Sequence, residues 1–389
     1  MSALPEEPPD GRATPRLVPP IVALGRSRRG LWQAARTLVP IVLLGLVPLA
    51  LATYYVSVVV PSGSLGVDFR ASFWPAAHAV LHGGNPYPAL DAGVLADRTA
   101  FVYPPLVAIV LAPVGLLPVG VATAMALAAT VAALAATLWV LGVRDWRCYS
   151  VALASPAVLA SIQTASLSPL LALGIALAWK RRAHGWTAPL LIVIVIVAKL
   201  FLWPLLVWLA IVRGVRSAML AGVAAAALVV APWALGFPGA REYPRLLSLL
   251  TDVEGRHAYT PRALALALGA GTTVAEGIAI GAGGAVLVLA VAIRRTELAD
   301  RRTLVLTLLA ALLLSPLVWA HYFVVLLPAI AVAHRRLSPA WFALWGLWLA
   351  GGTWMEPSAP QIGVSLGVML LVTLGSLNLP RAAQPVRAA

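Results

Sequence analysis

The chain has 389 residues, of which 61% are hydrophobic and 11% charged. A soluble domain usually carries about 25% charged residues, so this chain cannot cover a surface that faces water on all sides. The net charge of +14 would point to nucleic acid in a soluble protein. Here, however, Lys and Arg fall in short clusters between apolar runs, as cytoplasmic loops do, and nucleic-acid binding is excluded as a reading. One cysteine, Cys148, excludes an intramolecular disulfide and a cysteine-rich metal cluster.

Residues 1–37, rich in Pro and Arg, read as a disordered cytoplasmic tail. The first apolar run, Leu38 to Val60, follows Arg26, Arg28, Arg29 and Arg36. It is long enough to cross a bilayer and longer than the core of a signal peptide. An extracytoplasmic loop, 61–103, follows and is the longest stretch of mixed polarity. Within it, Phe73, Trp74, Ala77, Val80 and Leu81 recur at helical spacing. That pattern predicts a short amphipathic helix lying on the membrane surface, stopped at Gly83-Gly84-Asn85-Pro86.

Apolar segments then run on to residue 380, with a second outer loop at 236–272 and a short cytoplasmic tail at 381–389. The clusters Lys180-Arg181-Arg182, Arg213/Arg216, Arg294-Arg295, Arg301-Arg302 and Arg335-Arg336 all land on one side if these segments alternate. Between two such clusters the chain must go in and return, which places Lys199 near the far end of a short helical hairpin. The segments add up to an odd number, so one piece between 104 and 180 is expected to be broken or re-entrant. The expected fold is an all-α polytopic membrane protein with about 12 transmembrane helices.

Fourteen acidic residues exist in the whole chain. Asp68, between Val67 and Phe69 at the exit of the first span, suits a general base because partial desolvation raises a carboxyl pKa. It equally suits the N-cap of the helix that follows. Lys199 is the one lysine inside an apolar run: either a charge for a phosphate or an acidic partner, or a side chain that snorkels to the interface. His321 follows Ser315-Pro316, which would loosen its helix and aim the next residues into a cavity; an interfacial aromatic belt with a passenger histidine is the other reading. His78 and His82 have a metal-ligand spacing but no evident third ligand. The chain contains no GxxxxGK[ST], HExxH or GxSxG sequence. ATP-driven pumping, zinc proteolysis and serine hydrolysis of those types therefore lose support.

Together these segments resemble a known family. Val67-Asp68-Phe69-Arg70, Leu81-His82-Gly83-Gly84-Asn85-Pro86-Tyr87 and Phe101-Val102-Tyr103-Pro104-Pro105-Leu106 are similar to the first outer loop of actinobacterial GT-C enzymes of glycosyltransferase family 87. Lys199-Leu200-Phe201-Leu202-Trp203-Pro204 resembles the family's K-x-x-P segment with two extra residues. Ser315-Pro316 to Trp319-Ala320-His321-Tyr322 resembles its S-P-x-x-W-x-H-Y segment. Two segments depart: Ile162-Gln163 stands where Gly-Gln is usual, and His257-Ala258-Tyr259-Thr260 where an Asn-rich stretch is common.

The resemblance implies a GT-C fold in the cell membrane, both termini cytoplasmic and the active site on the outer face. It implies transfer of a sugar, mannose first and arabinofuranose as the alternative, from a polyprenyl-phosphate donor to a lipid-linked or glycan acceptor. Asp68 would be the base, with Lys199 and His321 near the donor phosphate and Arg70 and Arg256 adding charge. Trp74, Tyr87, Tyr103, His257, Trp319 and Tyr322 would meet sugar or acceptor, and no metal or other cofactor is called for. A transporter or flippase is the reading from a different class.

Overall fold

The computed structural model describes residues 38–39, 41–87, 93, 95, 100–296, 298–350 and 356–377. Both predicted tails therefore lie outside the described residues, as do Asp91, Asp97, Arg98 and Glu297. The chain divides into residues 1–48 and 49–389. In the first unit Val42–Leu46 is a π-helical turn; the second carries the site. Every regular element among the described residues is helical.

Helix α1 (Val47–Tyr54) passes into a π-helical turn, Tyr55–Val59. After the turn that follows comes a π-helical stretch, Phe69–Phe73, that continues as α2 (Trp74–Leu81). Gly83 and Gly84 close α2, their N–H groups bonding the carbonyls of Val80 and Ala79 at 3.0 and 2.8 Å. The helix is where its periodicity puts it, but its apolar face does not lie on a membrane surface. Phe69, Phe73 and Ala76 are buried against Phe101, Tyr103, Val107 and Ala108 of the next segment, forming one core. Protein covers this face because Tyr103-Pro104-Pro105 turns α3 (Pro105–Leu111) back along it.

Helix α4 (Val119–Val140) is the first of four among the described residues long and apolar enough to cross a membrane. Helix α5 (Trp146–Leu153) is short. Then α6 (Pro156–Thr164) and α7 (Ser168–Lys180) form a broken pair bent by 116°, inside the interval where segment parity requires a break. The tight turn needs no glycine: Ala165 itself adopts φ +52°. Ser166 N–H then bonds the Ser161 carbonyl at 3.1 Å to close the helix end.

Helices α8 (Thr187–Ala198) and α9 (Leu205–Arg213) make the expected hairpin. Arg213 donates to the carbonyls of Ala183 (3.4 Å) and Gly185 (3.0 Å), so the two ends meet and Lys199 sits at the opposite tip. Beyond are α10 (Val215–Ala234), α11 (Tyr243–Glu254), α12 (Pro261–Ala267), α13 (Thr272–Ala292), α14 (Ala299–Leu314), α15 (Leu327–Ala333) and α16 (Ala359–Leu377). Helix α14 is buried on every side from Thr303 to Leu312, as a helix apolar all round must be. On α10 and α13, by contrast, Met219, Val223, Ile280 and Val288 are among the most exposed side chains. That is the arrangement of helices whose outer face meets lipid tails rather than water.

Fewer uninterrupted spans exist than the apolar runs imply. Four single helices qualify, or five if the bent pair counts as one span; Leu49–Val59, Pro105–Leu116, Thr187–Ala198, Leu200–Arg213, Ala320–Ala333 and Pro339–Ala350 are shorter apolar helices. Proline and polar positions cut the runs: α8 stops at Lys199 and α14 stops before Ser315-Pro316. The basic clusters nevertheless meet one another. Arg182 pairs with Asp300 at 3.0 Å, and Asp145 accepts from Leu337 N–H at 3.0 Å beside Arg335-Arg336.

Candidate active site

Asp68 is held by its neighbours rather than by a capping role. Gly66, at φ +69°, bonds Gln163 carbonyl at 2.5 Å. A Cβ there would come within 2.5 Å of Thr123 Cγ2, so only glycine fits between α4 and α6. Two residues on, Asp68 has φ −63° and ψ −39°, already helical, and its carboxylate makes no capping bond. The N-cap reading therefore fails, and the carboxylate is left for other use. Burial pushes its pKa up to about 7, an effect that the nearby Lys199 charge only partly offsets.

Lys199 ends α8 in an extended conformation, φ −155° and ψ 101°, ahead of a 3-10 turn, Leu200–Leu202. The longer spacing from Lys199 to Pro204 accommodates this turn. The side chain does not snorkel: the residue is 6% exposed and Nζ has no hydrogen-bond partner. Its ammonium stands 3.3 Å from the centre of the Tyr322 ring and 5.2 Å from that of Tyr103. Such placement stabilises a buried cation by about 2 kcal/mol without consuming its hydrogen-bonding capacity.

Ser315 ends α14 outright, with ψ 130°, instead of loosening it. Residues 316–319 then run to a 3-10 helix, Ala320–Leu326. Tyr259 N–H donates to Val318 carbonyl at 2.8 Å and Ser161 Oγ to His321 carbonyl at 3.3 Å, which fixes this segment between the turn after α11 and the bent pair. His321 is 5% exposed with Nε2 unpartnered. Its ring lies 4.9 Å from Tyr322 and 5.9 Å from Trp319.

The fold thus gathers Lys199, Tyr103, Trp319, His321 and Tyr322, with Asp68 in electrostatic range of Lys199, Tyr103 and Tyr322. A cavity of about 280 Å³ opens against Tyr103, Lys199, Ser315 and Tyr322; neither Asp68 nor His321 forms its wall. Its remaining side comes from Tyr243, Leu247, Leu250 and Thr251 of α11, which sequence reasoning passed over. The signal was present: Tyr243, Leu246 and Leu250, the buried face of α11, recur at spacings of three and four.

Other expected site residues stand elsewhere. Tyr87 is buried, its hydroxyl donating to Tyr103 carbonyl at 2.9 Å and its ring against Tyr243. Trp74 donates to Leu117 carbonyl at 3.0 Å and stacks on His78. Arg70 is exposed and donates to Gly63 carbonyl. Arg256 is exposed and His257 half-buried in the turn between α11 and α12. None of the five lines the cavity. His82 Nδ1 donates to His78 carbonyl at 2.8 Å, a local helix contact.

The sequence model of glycosyltransferase family 87 matches residues 101–319, more than half of the chain. The chain belongs to glycosyltransferase family 87. Membership makes it a multi-pass membrane glycosyltransferase, handling a sugar donor and acceptor at the membrane. No curated protein and no solved structure matches it. The matched region contains Tyr103, Lys199, His257, Ser315 and Trp319, and stops two residues before His321; Asp68 precedes it.

Proposed function

We propose that this family 87 enzyme transfers mannose from a polyprenyl-phosphate donor to a hydroxyl of a cell-envelope glycolipid or glycan, inverting the anomeric centre. The reading rests above all on Lys199, a buried ammonium with no hydrogen-bond partner, set over Tyr322 beside a carboxyl raised to about 7. A lipid phosphate sugar brings its own leaving group into the membrane, so the protein must supply a base and positive charge. Ionised Asp68 takes the proton of the acceptor hydroxyl as its oxygen bonds the anomeric carbon. The bond from that carbon to the phosphate oxygen breaks, and Lys199 stabilises the departing phosphate with His321 close by. Tyr103 and Trp319 are the aromatic residues left to meet sugar, since the Tyr322 ring already meets Lys199 and stacks on Phe201.

In this reading the fold is GT-C, the basic clusters and both termini are cytoplasmic, and the cavity opens on the outer face of the cell membrane. The test is transfer by purified protein, assayed separately with polyprenyl-phosphate mannose and polyprenyl-phosphate arabinofuranose against glycolipid and arabinan acceptors. Transfer of mannose alone supports the proposal. Transfer of arabinofuranose alone replaces the sugar while keeping the class, and transfer from neither removes the polyprenyl-phosphate donor.

A further inference from the structure

Helix α14 joins two different places. Its C-terminal end, Leu314, lines the cavity beside Lys199, whereas its first turn lines a second cavity of about 440 Å³. Sixteen helical residues at 1.5 Å each put roughly 24 Å between the two ends. The second cavity is walled by Trp179, Arg182, Thr296, Asp300, Arg301 and Val332, and its size falls in the range of small-molecule sites.

Two features of this cavity are unexplained by packing. Arg301 is 7% exposed, and its Nε and Nη2 have no hydrogen-bond partner. A buried guanidinium without a counter-charge costs several kcal/mol, and proteins rarely carry one without a ligand to meet it. Arg182 is also pre-set: Nη1 donates to Trp179 carbonyl at 3.0 Å, and its guanidinium lies 4.0 Å from the centre of the Trp179 ring. Among the described residues, Asp300 neutralises only one of these charges, accepting from Arg182 Nε at 3.0 Å, and its side chain is about half exposed. The first turn of α14 adds its partial positive charge, its N–H groups at Ala299, Arg301 and Arg302 being already bonded to the carbonyls of Thr296 and Leu298. Arg302, next in sequence, acts electrostatically on Arg301 and adds to the positive field.

We propose that this cavity is an anion site for a phosphate group, either inorganic phosphate or the headgroup of an acidic phospholipid, separate from the Lys199 cavity. Arg301 holds the phosphate, the dipole of α14 favours the negative charge, Arg182 and Trp179 close its edge, and the surrounding basic clusters supply long-range attraction. Arginine suits this task because its planar fork meets phosphate oxygens in pairs.

The test uses the full chain in detergent and in phosphatidylcholine vesicles with or without phosphatidic acid. Thermal midpoints are measured against inorganic phosphate in detergent and against lipid composition in vesicles. Wild-type protein is expected to rise in at least one arm: phosphate alone identifies a free anion, phosphatidic acid alone a lipid headgroup. Arg301→Gln should weaken that response about tenfold or more while raising the ligand-free midpoint, because the uncompensated charge is gone. A purely structural arginine would instead lower that midpoint on removal. Lys199→Gln should leave the response intact, and a parallel loss there would locate the probe in the other cavity and overturn the proposal. No response in wild type, or an equal one in Arg301→Gln and Arg182→Gln, also overturns it. Should Arg301→Gln fail to fold, Arg182→Gln carries the comparison.

Discussion

Lys199 Nζ lies 3.3 Å from the centre of the Tyr322 ring. These residues come from segments 123 positions apart, so α8 and α14 must both stop where they do for the contact to form. The ring meets the cation through its face and leaves the N–H groups free for the donor phosphate proposed above. Lys199→Gln should therefore lower kcat/KM for sugar transfer by about 100-fold, the scale of one electrostatic donor in a dry site. Tyr322→Phe, which keeps the ring, should stay within about threefold of wild type, whereas Tyr322→Leu should lose about tenfold, by the scale of one cation–π contact. Steady-state kinetics of the three variants check this ordering.

The Asp68 carboxyl, with pKa about 7, fixes the pH dependence. A base must be ionised, so kcat/KM should rise with pH through an apparent pKa near 7 and then level. Stability has the opposite sign. The folded pKa stands above the unfolded value of about 3.9, so ionisation of Asp68 disfavours the fold as pH rises through that window. A pH–rate profile flat from about pH 5 to about pH 8, roughly two decades of proton activity below that pKa and one above it, would remove Asp68 as the titrating base.

Gly239 is a structural joint between the segment after α2 and the segment before α11. It has φ +75°, and a Cβ there would come within 1.9 Å of Asn85 Oδ1. Asn85 itself accepts from Tyr87 N–H and donates to Glu242. Gly239→Ala should cost about 2 kcal/mol or more through the left-handed backbone and the clash together. A lowered thermal midpoint with transfer lost in proportion to unfolded protein is the expected outcome.

Asp145 ties one basic cluster to another, accepting from Arg147 N–H at 3.2 Å and Leu337 N–H at 3.0 Å and pairing with the Arg147 guanidinium at 2.8 Å. These bonds, the Arg147 side-chain bond foremost, hold its pKa at about 2. Its stabilisation is present above the unfolded value of about 3.9 and is lost as pH falls through about 2. Asp145→Ala should lower the unfolding free energy by about 1–2 kcal/mol at neutral pH. Thermal melts at pH 7 read the loss.

The sequence made the membrane setting and the α8–α9 hairpin legible, and it singled out Asp68, Lys199 and His321, of which the fold brings Lys199 within electrostatic range of both others, because charges are scarce enough for each placement to matter. It could not give the breaks. Apolar runs look continuous whether or not a helix spans them, and the 116° bend turns on Ala165, a residue that marks no turn by type. Aromatic residues were the least readable. Tyr87 and Trp74 match the motif pattern, yet their polar atoms bond backbone carbonyls and their rings pack in protein. Tyr243 carries no motif and lines the cavity. A side chain's type says what it is able to bind, whereas only the packing of distant segments decides what it meets.

The central claim is that Asp68 deprotonates the acceptor while other groups hold the donor. Purified wild-type protein and Asp68→Asn, compared for transfer from polyprenyl-phosphate mannose and for binding of the same donor, test it most directly. Transfer by Asp68→Asn should fall at least about 1,000-fold with donor affinity within about threefold of wild type, a difference of less than about 1 kcal/mol. Transfer that survives the substitution would contradict the claim.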